Sequence, residues 1–204
     1  MDKFNILRCL LLGLTAVTGD QLVLNQHNAV RKALCDNVTH AVIGFITWIN
    51  VHYYLGQMTF FSNRLLVQSL VCGVISSAID VDHFIAAQSL HIKDATSLSK
   101  RPFLHCTTLP LAVALVLLLL GCHLRSATFE AFGWMLLASF LSHHIRDAAR
   151  RGFWLWPFGS TVPLGSGLYI SLTVLLPLLL SYGVIYTNGV FGRLKSHQAT
   201  VSVV

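Results

Sequence analysis

Charge is what this chain of 204 residues has least of. Its 14 Lys and Arg and 8 Asp and Glu make up 11% of the sequence, less than half of the roughly 25% found in soluble domains. Together with 54% hydrophobic residues, that scarcity excludes an ordinary soluble globular domain. Glu130 is the sole glutamate, so any acid–base or ligand chemistry falls to Asp and His. A phosphate-cradling Gly-rich loop, a Gly-x-Ser-x-Gly elbow and a His-Glu-x-x-His helix are all missing. The cysteines (Cys9, Cys35, Cys72, Cys106 and Cys122) show no Cys-x-x-Cys spacing, and read as small buried hydrophobes, not as a disulfide or zinc framework. The net charge of +6 is scattered over isolated or paired basic residues. No basic stripe with interleaved aromatics exists, which argues against nucleic acid as a partner. Loops beside anionic membrane lipids suit this charge better.

What the chain does have is apolar runs. A hydrocarbon core of about 30 Å takes roughly 20 apolar residues per helix. Runs at about 4–24, 38–56, 65–79, 107–122, 129–145 and 164–187 predict an all-α fold, a multi-pass transmembrane bundle of about six helices. Residues 1–204 then form one integral membrane domain whose backbone is satisfied within each span. Lys3 and Arg8 before the first Leu-rich run, with small residues at 16–19, also fit a cleaved signal peptide. Continuation of the run through Leu22, Val23 and Leu24 favours a retained helix.

The ends of these runs carry the chemistry. Asp20 lies near the end of the first helix, Asp36 and His40 open the second, and Asp80, Asp82 and His83 close the third. His105 opens the fourth, and His143, His144 and Asp147 close the fifth. Because the chain alternates direction, all of these fall at one membrane face. Basic residues on that face (Arg31, Lys32, Lys93, Lys100, Arg101, Arg146, Arg150, Arg151) outnumber those opposite (Lys3, Arg8, Arg64, Arg125, Arg193, Lys195). The positive-inside rule therefore puts the polar face in the cytosol.

In Ile79-Asp80-Val81-Asp82-His83, three donors within four residues suit a cation that takes oxygen and imidazole together. A hydrated, Asp-capped helix end reads the same way. In Ser142-His143-His144-Ile145-Arg146-Asp147, His143 and Asp147 are one turn apart and can close on one ion. Alternatively, Asp147 pairs with Arg150 or Arg151 on a solvated face. His105 and His40 are each weak ligand candidates, and Asp36 reads equally as an N-cap. Trp154-Leu155-Trp156-Pro157-Phe158 reads first as an interfacial aromatic belt, and second as an apolar wall for a lipid-like ligand. Arg101 or Arg146 could clamp an anionic substrate oxygen.

Asp-x-Asp-His at a helix end, Arg101-Pro102-Phe103-Leu104-His105, Ser-His-x-x-x-Asp and a Trp-Pro-Phe segment together resemble the bacterial membrane-bound metal-dependent hydrolase family described as LexA-regulated. The resemblance implies a multi-pass membrane location and a metal site of Asp80, Asp82, His83, His105, His143 and Asp147, with His40 matching an early-helix histidine. It implies a divalent metal, zinc first, with manganese and magnesium as alternatives. Where the bacterial segment reads His-Arg-Gly-x-x-His, this chain has Lys100 and Pro102, and a charged Lys donates but does not coordinate. Two functions compete: a metal-dependent hydrolase of a lipid-like phosphoester, and a non-catalytic membrane protein that keeps a structural metal site. Ion transport is disfavoured, since the carboxylates crowd one face.

Overall fold

The computed structural model describes residues 3–56 and 63–201, with side chains from 6–56 and 63–189. Of the sequence features above, the side chains of Lys3, Arg193 and Lys195 lie outside the described residues. The fold is all-α. In chain order come α1 (Lys3–Leu24), α2 (Ala29–Tyr54), α3 (Asn63–Ala78), α4 (Val81–Ala87), α5 (Ile92–Thr96), α6 (Thr108–His123), α7 (Ala127–Arg151) and α8 (Ser166–Val201). A one-turn 3₁₀ segment, Phe103–His105, precedes α6, and two short strands, β1 (Trp154–Leu155) and β2 (Gly159–Ser160), form a hairpin between α7 and α8.

Helix α2 begins well before the apolar run at 38, because Asn28 caps it: the Asn28 side-chain oxygen accepts from the Val30 and Arg31 amides at 2.9 and 3.1 Å. Such caps satisfy otherwise orphaned amides. Asp36 is therefore not a cap but sits within the helix, two turns from its start. The third apolar run breaks at Ile79 and Asp80 before α4 resumes, so Asp80 lies at a junction and Asp82 and His83 lie inside the short helix that follows.

Three stretches are long and apolar enough to cross a membrane: Ile6–Leu24, Asn63–Ala87 and Ser166–Gly189. Helix α6 is as apolar but has only 16 residues, about 24 Å at 1.5 Å per residue. Helices α2 and α7 have the length, at 26 and 25 residues, and turn polar side chains inward. His40, Thr47 and Asn50 of α2 and Ser139, Ser142, His143 and Arg146 of α7 are all buried. The outer surface is apolar instead, with Leu7 and Leu14 of α1, Val74 of α3, Leu115 of α6 and Leu179 of α8 exposed.

The core packs Leu12 and Ala16 of α1, Ile43 and Val51 of α2, Cys72 of α3, Ala138 and Ile145 of α7, and Leu176 of α8. Helices α2 and α3 approach through small residues, as membrane helices do. A Cβ built on Gly73 would lie 2.6 Å from the Ala41 carbonyl oxygen, and one on Gly44 2.8 Å from the Ser76 Cβ. That close seam brings the α3–α4 junction beside Asn37, in the first third of α2. No disulfide forms: all five cysteines are free, with Cys72 and Cys106 buried.

A candidate metal centre

Three segments deliver donors to one point. The junction after α3 brings Asp80, the 3₁₀ turn brings His105, and α7 brings His143 and Asp147 on adjacent turns. Pro102, at φ −66° and ψ 157°, launches that turn, and its carbonyl accepts the His105 amide at 3.1 Å. His105 Nε2 lies 3.5 Å from Asp80 Oδ1, 3.3 Å from Asp147 Oδ2 and 3.4 Å from His143 Nε2. His143 Nε2 lies 3.7 Å from Asp80 Oδ1 and 3.4 Å from Asp147 Oδ2.

These separations exceed the 2.7–2.9 Å of charge-assisted hydrogen bonds. Four donors set tetrahedrally about 2.0–2.2 Å from one ion would stand about 3.3–3.6 Å apart. The donor set therefore fits a shared divalent cation better than a network of mutual hydrogen bonds. Asp82 and His83 extend the group: Asp82 Oδ1 is 3.3 Å from both His83 Nδ1 and His105 Nδ1.

The surroundings orient these donors as metal ligands usually are oriented. His143 Nδ1–H donates to the Ser76 carbonyl at 2.8 Å, which leaves the Nε2 lone pair facing the cluster. Each carboxylate has one oxygen held elsewhere. Asp147 Oδ1 accepts from Arg150 at 2.6 Å, Asp80 Oδ2 from Asn37 at 3.4 Å, and Asp82 Oδ2 from the Leu104 amide at 2.7 Å. The other oxygens point inward. His105 lies outside the apolar spans; burial opposes its charge, but the surrounding carboxylates of Asp147, Asp80 and Asp82 outweigh that and raise its pKa to about 11. With no cation, the ring is thus a charged imidazolium among carboxylates.

All seven sequence-predicted residues meet here. His40 is buried beside the donors: its ring stacks on His143 at 3.8 Å, and its Nε2 is 3.5 Å from the Asp147 oxygen that faces Arg150. Asp147 pairs with Arg150 through Oδ1 and turns Oδ2 toward His105 and His143. Arg146 is not a substrate clamp. It is 1% exposed and pairs with Asp20 at 2.9 Å and Asp36 at 2.5 Å. Asp36 also pairs with Arg150 at 2.9 Å. The sequence already offers Arg150 as a partner of Asp147 and His144 within its motif, and His144 Nε2–H donates to the Leu104 carbonyl at 2.9 Å; Asn37 and Ser76 escape sequence reading. Asn37 and Ser76 act on the ligands through contacts between distant segments, 43 and 67 residues apart.

Residues 35–203 match the description of the YdjM inner membrane protein family. The chain belongs to the YdjM family. This YdjM family chain is also similar to vertebrate proteins named Transmembrane protein 267. It is 39% identical to that of Mus musculus over 182 residues, 87% of this chain and 81% of the relative. The relatives of Bos taurus, at 39% over 90% of this chain and 85% of the relative, and of Danio rerio, at 41% over 76% and 68%, are comparable. No solved structure matches. The family names and the apolar helices together make this a membrane protein.

In this YdjM family chain part of the cluster lines a cavity of about 770 Å³, within the size range of small-molecule sites. Asp80, His83, His105 and Asp147 face it. Leu34, Phe84, Leu98, Phe153 and Trp154 give apolar walls, and Lys32, Arg101, Arg150 and Arg151 add positive charge. The wall and turn are tied together: Arg101 donates to the Gly152 carbonyl at 2.9 Å and to that of Arg151, and the Thr107 amide donates to Trp154 at 2.8 Å. Gly152 adopts φ +69°, and a Cβ there would meet the Thr161 carbonyl oxygen at 2.1 Å, so only glycine fits the turn into the hairpin. The aromatic segment divides between two environments. Phe153 and Trp154 line the cavity, while Trp156 and Phe158 are 65% and 89% exposed. Lys100 is exposed and stands apart from the donor group.

Proposed function

We propose that this protein is a membrane-embedded, divalent-metal-dependent hydrolase of a lipid-like phosphoester. The observation that carries the reading is the cavity: Asp and His donors in its lining, apolar walls, and four basic side chains around it. An anionic amphiphile matches that distribution, with its headgroup toward the donors and its chain along Leu34, Phe84 and Trp154. Asp80, His105, His143 and Asp147 would hold the ion, and the mixed nitrogen and oxygen set with near-tetrahedral spacing favours zinc over magnesium or manganese. When bound, such an ion lowers the pKa of water and polarises a phosphoryl oxygen. The Ser76 carbonyl keeps the His143 tautomer fixed, Arg150 and Asn37 hold the ligand carboxylates, and Lys32 and Arg151 supply charge for a phosphate oxygen. The long helices and apolar exterior support six spans in one integral membrane domain. The basic excess on the cluster side supports a cytosolic site.

One observation favours a second reading. Four donors can close the shell around an ion, as in structural zinc sites, so the cluster could serve as a clasp joining the α3–α4 junction, the 3₁₀ turn and α7 without turnover. The test is elemental analysis of detergent-purified protein beside His143→Ala and Asp147→Ala, followed by phosphate release from vesicles containing phosphatidic acid or lysophospholipid. Metal and turnover lost together support the hydrolase. Metal loss with a lowered melting temperature, and no turnover of any phosphoester by the wild type, supports the clasp. Wild type that binds no Zn²⁺, Mn²⁺ or Mg²⁺ overturns both.

A further inference from the structure

We infer that the centre takes a second cation, bound by Asp82 Oδ1, His83 Nδ1 and His105 Nδ1, with the His105 ring bridging the two ions. The inference rests on the metal reading of the first group and adds a distinct site to it. Its starting point is a pair of orphaned atoms. Asp82 is 0% exposed, and its Oδ1 has no hydrogen-bond partner; nor has the buried His83 Nδ1 beside it. A buried carboxylate oxygen whose nearest donors stand no closer than 3.3 Å is poorly satisfied, so this position suits a cation.

The spacing is that of donors around an ion. Asp82 Oδ1 lies 3.3 Å from each of the two imidazole nitrogens, the same separation that the first group shows and longer than a charge-assisted hydrogen bond. His105 Nδ1 is also 3.3 Å from Asp82 Oδ2, so the ring straddles the carboxylate and makes a short contact with neither oxygen. Its opposite nitrogen belongs to the first group. A bridging ring uses both nitrogens as electron-pair donors, so its protons leave to solvent as the two cations enter.

The two sites differ in kind. The first offers four side-chain donors; the second offers three, and two of these residues, His83 and His105, line the cavity. Three protein donors with an open position are the arrangement of catalytic zinc, whereas four are that of structural zinc. One centre could thus both tie the helices together and present a reactive position to the cavity.

Counting zinc tests this on the full chain in detergent, loaded with excess Zn²⁺ and then desalted. Two zinc ions per chain are expected in the wild type, and one in His83→Ala. Asp82→Asn, whose amide oxygen can still accept from the Leu104 amide, should also retain one. His143→Ala combined with Asp147→Asn should keep the zinc that His83→Ala removes. One zinc in the wild type that persists in His83→Ala overturns the second site and leaves the first intact. Two that both persist in His83→Ala overturn the ligand assignment. No zinc at all overturns the second site together with the reading it rests on.

Discussion

Replacing Arg146 with leucine removes the most deeply buried cation described in the protein. Its guanidinium holds Asp20 of α1 through Nε and Nη2, at 3.0 and 2.9 Å. It also holds Asp36 of α2 through Nη1, at 2.5 Å. Breaking a buried ion pair from one side costs about 3–5 kcal/mol, because the abandoned charge stays desolvated. Two features pull toward the lower end. Asp36 keeps Arg150 at 2.9 Å, and Asp20, 37% exposed, can recruit water. A loss of about 3 kcal/mol is expected, or roughly 6–12 °C in melting temperature for a chain of this size. Arg150→Ala is the comparison, since its side chain is half exposed and pairs of that kind contribute about 1 kcal/mol or less. Thermal loss of the monodisperse peak in detergent size-exclusion would measure both. Arg146→Leu melting within about 2 °C of wild type, or Arg150→Ala costing as much, would refute the ranking. Turnover lost without any change in melting would restore Arg146 as a substrate contact.

Two further outcomes follow from described geometry. Gly73→Leu should cost about 1–3 kcal/mol by overpacking, because the nearest obstacle is the Ala41 carbonyl, a backbone atom that cannot swing aside. Gly167→Ala, with open space around it, should be neutral or stabilising in the same melting assay. For His105, the folded pKa of about 11 stands above the ordinary 6.5. In chelator, its contribution to stability is complete below pH 6.5 and is lost as pH rises through about 11. Zinc competes with that proton, so zinc affinity should rise over the same window. Melting temperatures against pH, with chelator and with zinc, should slope in opposite directions; parallel slopes would contradict the donor role of His105.

Much of the site was legible because polar residues are rare in this chain and therefore conspicuous. Asp80, Asp82, His83, His105, His143 and Asp147 each stand at or near the end of an apolar run, and alternating chain direction alone brings such ends together. Helix limits were less legible. The start of α2 lies nine residues ahead of its apolar run, since Asn28 terminates the helix through a local hydrogen bond that hydropathy does not register. The role of Arg146 was illegible for a different reason. Its partners are 126 and 110 residues away, and a sequence shows that an arginine is available without showing which carboxylates claim it. The same limit hid Asn37, which holds the second oxygen of Asp80 from 43 residues away.

The ion-pair chain from Asp20 through Arg146, Asp36 and Arg150 to Asp147 also bears on how the protein is made. Its acidic members in α1 and α2 emerge from the ribosome first, and both arginines arrive late, on α7. During synthesis Asp20 and Asp36 stand without these counterions until α7 supplies them. Docking of α7 therefore acts as a closing step: it cancels charges on α1 and α2 and delivers His143 and Asp147 to Asp80 and His105. A chain stalled before residue 146 would carry unneutralised carboxylates on α1 and α2, a feature by which membrane quality control could distinguish it from the finished bundle.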